Sequence, residues 1–127
     1  MKTSMPPNSF AQRIENRSGG GVPDVFGMLS GMPFWAELKA VKTSTIKLRP
    51  HQVAWHTAFY ARGGLSFFLI NPLSFKQIRI IEGRDAIKLA ENPRIEDHGR
   101  GFASKSEMWE ALRSDCASHY GDLMGKV

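Results

Sequence analysis

Three residues carry the chemistry that the rest of the chain has to position: Asp24, Glu37 and Lys39. Carboxylates are hard oxygen donors suited to Mg2+ or Mn2+, cations that usually keep several of their waters. A lysine beside them can orient or help deprotonate a water at the metal, or stabilise negative charge developing at phosphorus. A phosphodiester needs that combination because it is anionic and repels hydroxide. The cation neutralises this charge and supplies a nucleophile near neutral pH. Each residue also has an ordinary explanation: Glu37 and Lys39 as a same-face pair on an exposed strand, Asp24 as a turn residue.

The elements that would bring these groups together lie close in sequence. Two apolar runs, Val22 to Leu29 and Pro33 to Ala40, flank Ser30-Gly31, which marks a hairpin turn. With a side-chain period of two, Glu37 and Lys39 project from one side of the second strand, together with Trp35. Phe34, Ala36 and Leu38 point the other way, into a core. Val41 to Leu48 is a polar loop with Lys42, Lys47 and three hydroxyls, followed by Arg49. Such a loop is usually just solvated, but beside an active site these cations are candidates to grip a phosphate backbone. Pro50 fits the first position of a helix running to about Arg62, where Gly63-Gly64 stops it. Gln52, Trp55 and Phe59 recur at helical spacing, with Trp55 and Phe59 as core residues. His51 and His56 on this helix are left out of the catalytic set, since the lysine already fills the role of a base.

Outside this stretch, Met1 to Pro7 reads as an unstructured lead. Asn8 or Ser9 caps an expected helix over Phe10 to Arg17, with Phe10 and Ile14 sharing a face. Gly19 to Gly21 then form a connector. Leu65 to Asn71 and Phe75 to Ile81 are two more strands about an Asn71-Pro72 turn, the second one edge-like with one wet face. A short helix over Asp85 to Glu91 and a polar surface loop from Asn92 to Phe102 follow. Ser104 and Glu107 form a capping box for a last helix to about Cys116, with Met108, Trp109, Leu112 and Cys116 as its apolar stripe. The expected fold is a single α/β domain over 1–127: a central mixed sheet flanked by helices, with 1–7 a lead and 84–127 a helical tail.

Bulk properties narrow the function class. A length of 127 residues suits one modest core, and 42% hydrophobic residues argue against wholesale disorder. A formal net charge of +5 points to an acidic partner, with nucleic acid the commonest. One cysteine, Cys116, excludes an intramolecular disulfide framework and any multi-cysteine zinc site, and fits a reducing cytoplasm. No apolar run approaches membrane-spanning length, and the expectation is a cytoplasmic protein with no membrane contact.

The pattern Gly21-Val22-Pro23-Asp24, followed by a hairpin to Glu37-Leu38-Lys39, resembles the PD-(D/E)XK nuclease superfamily. The continuation Leu48-Arg49-Pro50-His51-Gln52-Val53-Ala54-Trp55, ending in Gly63-Gly64 before a strand, is similar to its VRR-NUC branch. The resemblance runs from about Arg13 to Asn71 and implies a restriction-endonuclease-like fold and metal-dependent cleavage of DNA. It implies that Asp24 and Glu37 bind Mg2+ or Mn2+, with the backbone carbonyl of Leu38 and, on the first helix, Glu15 as further ligands. Lys39 would assist the nucleophile and Gln52 would support the water or the metal. Gln52 has another explanation, as a polar cap on the first turn of its helix, and Arg49 stands where Ser or Thr would be the favoured cap.

Small stand-alone members of that branch resemble Holliday-junction resolvases, which implies branched DNA as substrate. One cluster of this kind suits one strand at a time, so symmetric cutting of two strands calls for a homodimer. The aromatic-rich strand Leu65 to Ile70, the helix with Trp55 and Phe59, and the helix with Met108 and Trp109 offer apolar surface for it. The alternatives are a non-catalytic basic DNA-binding module of the same fold, and a nicking endonuclease or an exonuclease.

Overall fold

A computed structural model describes residues 5–14, 22–72 and 77–125. Among them are six strands in one sheet and three α-helices. The strands are β1 (Phe10–Arg13), β2 (Val25–Leu29), β3 (Met32–Val41), β4 (Ser66–Pro72), β5 (Ile78–Glu82) and β6 (Arg100–Phe102). The helices are α1 (Pro50–Ala61), α2 (Ala86–Glu91) and α3 (Lys105–Gly125). The strands lie side by side in sequence order, and every pairing is antiparallel except β3 with β4. The fold is α/β, a mixed sheet with helices on both faces. None of the described helices is long and apolar enough to cross a membrane.

The β2–β3 hairpin turns at Ser30 and Gly31, whose φ values of 50° and 83° match the tight two-residue turn that suits the twist of its strands. Along β3 the side chains alternate as expected. Phe34 and Ala36 are buried on one side and Leu38 is half-buried with them, while Trp35, Glu37 and Lys39 occupy the other. Adjacent residues of β4 divide the same way, Phe67 and Leu69 to one face and Phe68 and Ile70 to the other. Both faces of this central strand are therefore covered, as a parallel crossover requires.

The helix α3 covers the first face. Met108, Trp109, Leu112 and Cys116 are all buried there, the stripe expected from its sequence, and Trp109 packs at 6.4 Å, centroid to centroid, from Phe34. The Ser104 Oγ accepts the Glu107 N–H at 3.2 Å, so the expected cap is in place. The helix continues past Cys116 to Gly125. Across the sheet, Phe68, Ile70 and Ile81 meet Ala86 and Leu89 of α2, together with Ile46 and Ile95.

Several expectations are corrected. Residues 10–13 form strand β1, not the start of a helix: they pair with Val25–Met28 of β2, and Ala11 enters the core while Phe10 is 49% exposed. Strand pairing along an unfilled sheet edge outweighs one i, i+4 apolar pair worth a few tenths of a kcal/mol. The rest of the expected helix, with Glu15 and Gly19–Gly21, lies outside the described residues. β5 is not an edge strand, because β6, inside the stretch expected to be a loop, pairs with it from Ile78 to Ile80. A 3-10 turn over Ile95–Asp97 buries Ile95 just before it. Asn71 and Pro72 end β4 and are not a turn, and residues 73–76 lie outside the described set. The region from residue 84 onward is more than a helical tail, since it supplies β6 and one whole layer of the core.

Candidate active site

The β2–β3 ladder stops at Val25, opposite Ala36. Two residues further the register would set Pro23 against Leu38, and proline has no N–H to offer. The chain bends there, and side chains take over from the ladder. Asp24 N–H donates to Glu37 Oε2 at 3.1 Å, and Leu38 N–H donates to Asp24 Oδ2 at 3.1 Å. These reciprocal bonds tie the two carboxylates to each other's strand. Ile14 N–H donates to the Asp24 carbonyl at 2.6 Å and fixes the bend from the β1 side.

Glu37 is 5% exposed. Its Oε1 accepts the Gln52 Nε2 amide at 2.6 Å and stands 4.0 Å from Lys39 Nζ. Burial pushes the Glu37 carboxyl above the ordinary range for glutamate, and the neighbouring charge of Asp24 adds to this. Lys39, the Asp24 N–H and Gln52 offset part of the rise.

Gln52 has two tasks. Its amide oxygen accepts the Arg49 N–H at 3.0 Å, closing the first turn of α1, while its amide nitrogen holds Glu37. Pro50 at the first helical position sets the backbone for that turn. The helix-cap explanation for this glutamine holds, and the same side chain reaches a carboxylate of the expected metal site.

α1 does not turn the expected face inward. Gln52 and His56 are its buried residues, at i and i+4, while Trp55 and Phe59 are half-buried. Those two belong to an aromatic row that continues through Trp35 to Phe26, with centroids 4.7 Å apart for Phe59–Trp55, 5.9 Å for Trp55–Trp35 and 5.2 Å for Trp35–Phe26. His56 Nδ1 lies 2.7 Å from Ser66 Oγ, its ring packs on Phe68, and its Nε2 has no partner among the described residues. Desolvation lowers the His56 pKa to about 4, so the ring is neutral at physiological pH. Gly83 passes so close to the His56–Ser66 pair that a Cβ there would collide with both. His51 is exposed.

Lys42, Lys47 and Arg49 are all exposed on the β3–α1 connection. The connection is more than a solvated loop. Ile46 between them is 4% exposed in the second core, Ile46 N–H donates to the Pro93 carbonyl, and Thr45 bridges to Arg94. Sequence reasoning missed the backbone amides of Asp24 and Leu38, which do as much as any side chain to hold the site. The missing donor of Pro23 was the available signal.

Fit to a divalent cation rests on the donor set. Two oxygen-donor carboxylates share a largely buried place with one lysine, and burial first, with the Asp24 charge adding to it, makes the ionised form of Glu37 costly there. A hard divalent cation would relieve that cost. Among the described residues no group of three or more His, Cys, Asp or Glu is gathered, so further ligands would be backbone oxygen, that of Leu38 foremost. Glu15 lies outside the described residues.

No model of a known protein family matches the sequence, and no curated protein does. Among solved structures, the chain is similar to Hjc of Archaeoglobus fulgidus, a Holliday junction resolvase from an archaeal hyperthermophile, with a TM-score of 0.49 and 16% identity. The match covers 60% of this chain and 64%, less than two thirds, of the resolvase. The chain is also similar to a VRR_NUC domain, with a TM-score of 0.41, 24% identity, and coverage of 66% of this chain and 77% of that one.

Proposed function

We propose that this protein is a divalent-metal-dependent DNA endonuclease with its active site at Asp24, Glu37 and Lys39. The observation that carries the reading is the reciprocal pair of hydrogen bonds that locks Asp24 to the Glu37–Leu38 segment. They fix two carboxylates at one strand end and leave each with lone pairs to spare. Asp24, Glu37 and the Leu38 carbonyl would hold Mg2+ or Mn2+. The cation, when bound, supplies charge neutralisation for the phosphodiester and a nucleophile near neutral pH.

The chain's own groups do the rest. Gln52 fixes Glu37 Oε1 and the Asp24 N–H fixes Oε2, so the carboxylate is held in one orientation with lone pairs left for a ligand. Burial of Glu37 keeps water from loosening that arrangement. Lys39, on the same face and 25% exposed at its side chain, can reach a phosphate oxygen and stabilise the charge that builds there. Lys42, Lys47 and Arg49 extend a positive surface on the same connection for the DNA backbone.

Branched duplex DNA such as a four-way junction is the substrate we propose, cut by a homodimer that sets two such sites on two strands. Residues 65–70, Met108 and Trp109 are buried within the domain and not open to a partner. Among the described residues, the exposed Phe10 on the sheet edge and the half-buried aromatic row from Phe59 to Phe26 are apolar surfaces that a second copy could cover. The test is cleavage of labelled linear, flapped, forked and four-way DNA with Mg2+, Mn2+ or EDTA, beside light scattering at micromolar protein. The expected result is metal-dependent cleavage favouring branched forms by a dimer. Full activity in EDTA overturns the metal-dependent reading, and equal cleavage of all forms by a monomer reduces it to a general endonuclease. Binding without cleavage under any metal leaves a DNA-binding module.

A further inference from the structure

A second cleft of about 470 Å3 opens on the α3 side of the sheet, at the same strand ends as the carboxylates. Its floor is apolar: Leu38, Leu69, Ile78 and Met108. Its rim carries two cations, Arg13 from the end of β1 and Lys105 from the first turn of α3, with Asn71 beside them. The two sites are joined through β3. Leu38 and Lys39 line the cleft, while Lys39 Nζ stands 4.0 Å from Glu37 Oε1 on the other side.

We propose that this cleft receives one unpaired nucleotide of the DNA substrate, its base on the apolar floor and its phosphate among the rim cations. The inference rests on the nuclease reading above and deepens it. The volume falls within the range of small-ligand sites, and a mostly apolar concavity with a few placed polar groups is the usual form of such sites. In open α/β sheets ligands bind outside the carboxyl ends of the parallel strands, and β3 and β4 are the parallel pair whose ends form this cleft. Two cations at the opening, Arg13 and Lys105, favour an anionic group, and an apolar floor adds what a bare phosphate cannot use. A base stacked inside a continuous duplex cannot enter a concavity of this kind. A nucleotide freed by a fork, flap or junction can. The cleft thereby offers a physical source for selectivity toward branched DNA, placed beside the scissile position.

Arg13 and Lys105 are exposed, so charge reversal there leaves the fold in place. The test uses the intact protein in EDTA, so that no cleavage is needed for the readout. Thymidine 5′-monophosphate, thymidine and inorganic phosphate are titrated separately while the methyl resonances of Leu38, Leu69, Ile78 and Met108 are followed. The monophosphate should move these resonances and bind about tenfold or more tightly than either fragment. Arg13→Glu and Lys105→Glu should each abolish the shifts. They should also lower the preference for flapped over blunt duplex by about tenfold, with Mn2+ affinity unchanged. Equal binding of phosphate alone makes the cleft an anion site and overturns the proposal, as does the absence of methyl shifts. If the shifts occur but no DNA is ever cleaved, the subsite stands and the nuclease reading falls. If DNA is cleaved without the shifts, the reverse holds.

Discussion

The two faces of the sheet each have an apolar core, but only one of them also buries a set of polar groups. Under α3 the buried residues are apolar almost without exception, and among the described residues the one buried polar side-chain atom without a partner there is Trp109 Nε1. Under α1 the same sheet buries Glu37, Gln52, His56 and Ser66. The first face is what a small domain needs to stay folded. The second spends part of that stability on polar groups held in fixed places, which is where a chemical site can be built. Chemistry and cohesion are thus divided across β3 and β4, strands that serve both.

The sharpest way to break this division is to remove the polar groups one at a time. Asp24→Asn and Glu37→Gln should each lower cleavage by on the order of 10³-fold and weaken Mn2+ binding, whereas Lys39→Ala should lose activity but keep the metal. Supercoiled-plasmid cleavage and metal titration check the three together. Wild-type rates in Asp24→Asn would remove the basis for calling that face catalytic.

Stability should respond in the opposite sense. Trp109→Ala should cost about 3–5 kcal/mol in urea unfolding, because it empties the middle of the apolar face. Glu37→Gln should change stability at pH 7 little: it removes the cost of ionising a buried carboxyl whose folded pKa is raised, but leaves one of its two N–H donors, Gln52 or Asp24, without an acceptor. A Glu37→Gln variant clearly less stable than wild type would mean that the carboxylate is structural.

Acid should act through the polar face as well. The His56 pKa is about 4 when folded against 6.5 ordinarily, so the unfolded chain takes up its proton first as pH falls. The stability tied to its neutral form is full above pH 6.5 and is lost as pH drops toward 4, by up to about 3 kcal/mol. Unfolding free energies from pH 4 to 8 should show this slope, and His56→Phe should flatten it. The smallest effect expected is that of Gln52→Ala, with cleavage down by roughly 10–100-fold and helix stability by about 1 kcal/mol. If Gln52→Ala changes only stability, its bond to Glu37 is incidental to the chemistry.

The parts of this arrangement written in local pattern were legible in the sequence. The Ser30-Gly31 turn, the alternation that pairs Glu37 with Lys39, and the Pro50 start of α1 each rest on neighbouring residues. What depended on distant partners was not. Nothing between Phe10 and Arg13 says that β2 will have a free edge, and three residues around Gly101 are too few to announce a strand without β5 beside them. The inward face of α1 was misjudged because Trp55 and Phe59 outrank His56 in hydrophobicity. The helix instead turns its polar pair toward Glu37 and Ser66. The cationic cleft could not be seen at all, since Arg13 and Lys105 meet only when β1 and α3 have docked.

The parallel pairing of β3 and β4 also sets an order of events during synthesis. The β2–β3 hairpin, which holds both carboxylates, is a local structure of the kind that forms in about 1–10 μs. β4 can join only after the whole α1 crossover has emerged, and α3 comes last. A nascent chain that has not reached Lys105 therefore already owns Asp24, Glu37 and Gln52, yet leaves Phe34, Phe67 and Leu69 uncovered. Such a chain is sticky before it is active, and should depend on chaperones for that interval. A 1–104 truncation is expected to pellet on expression where the full chain stays in solution.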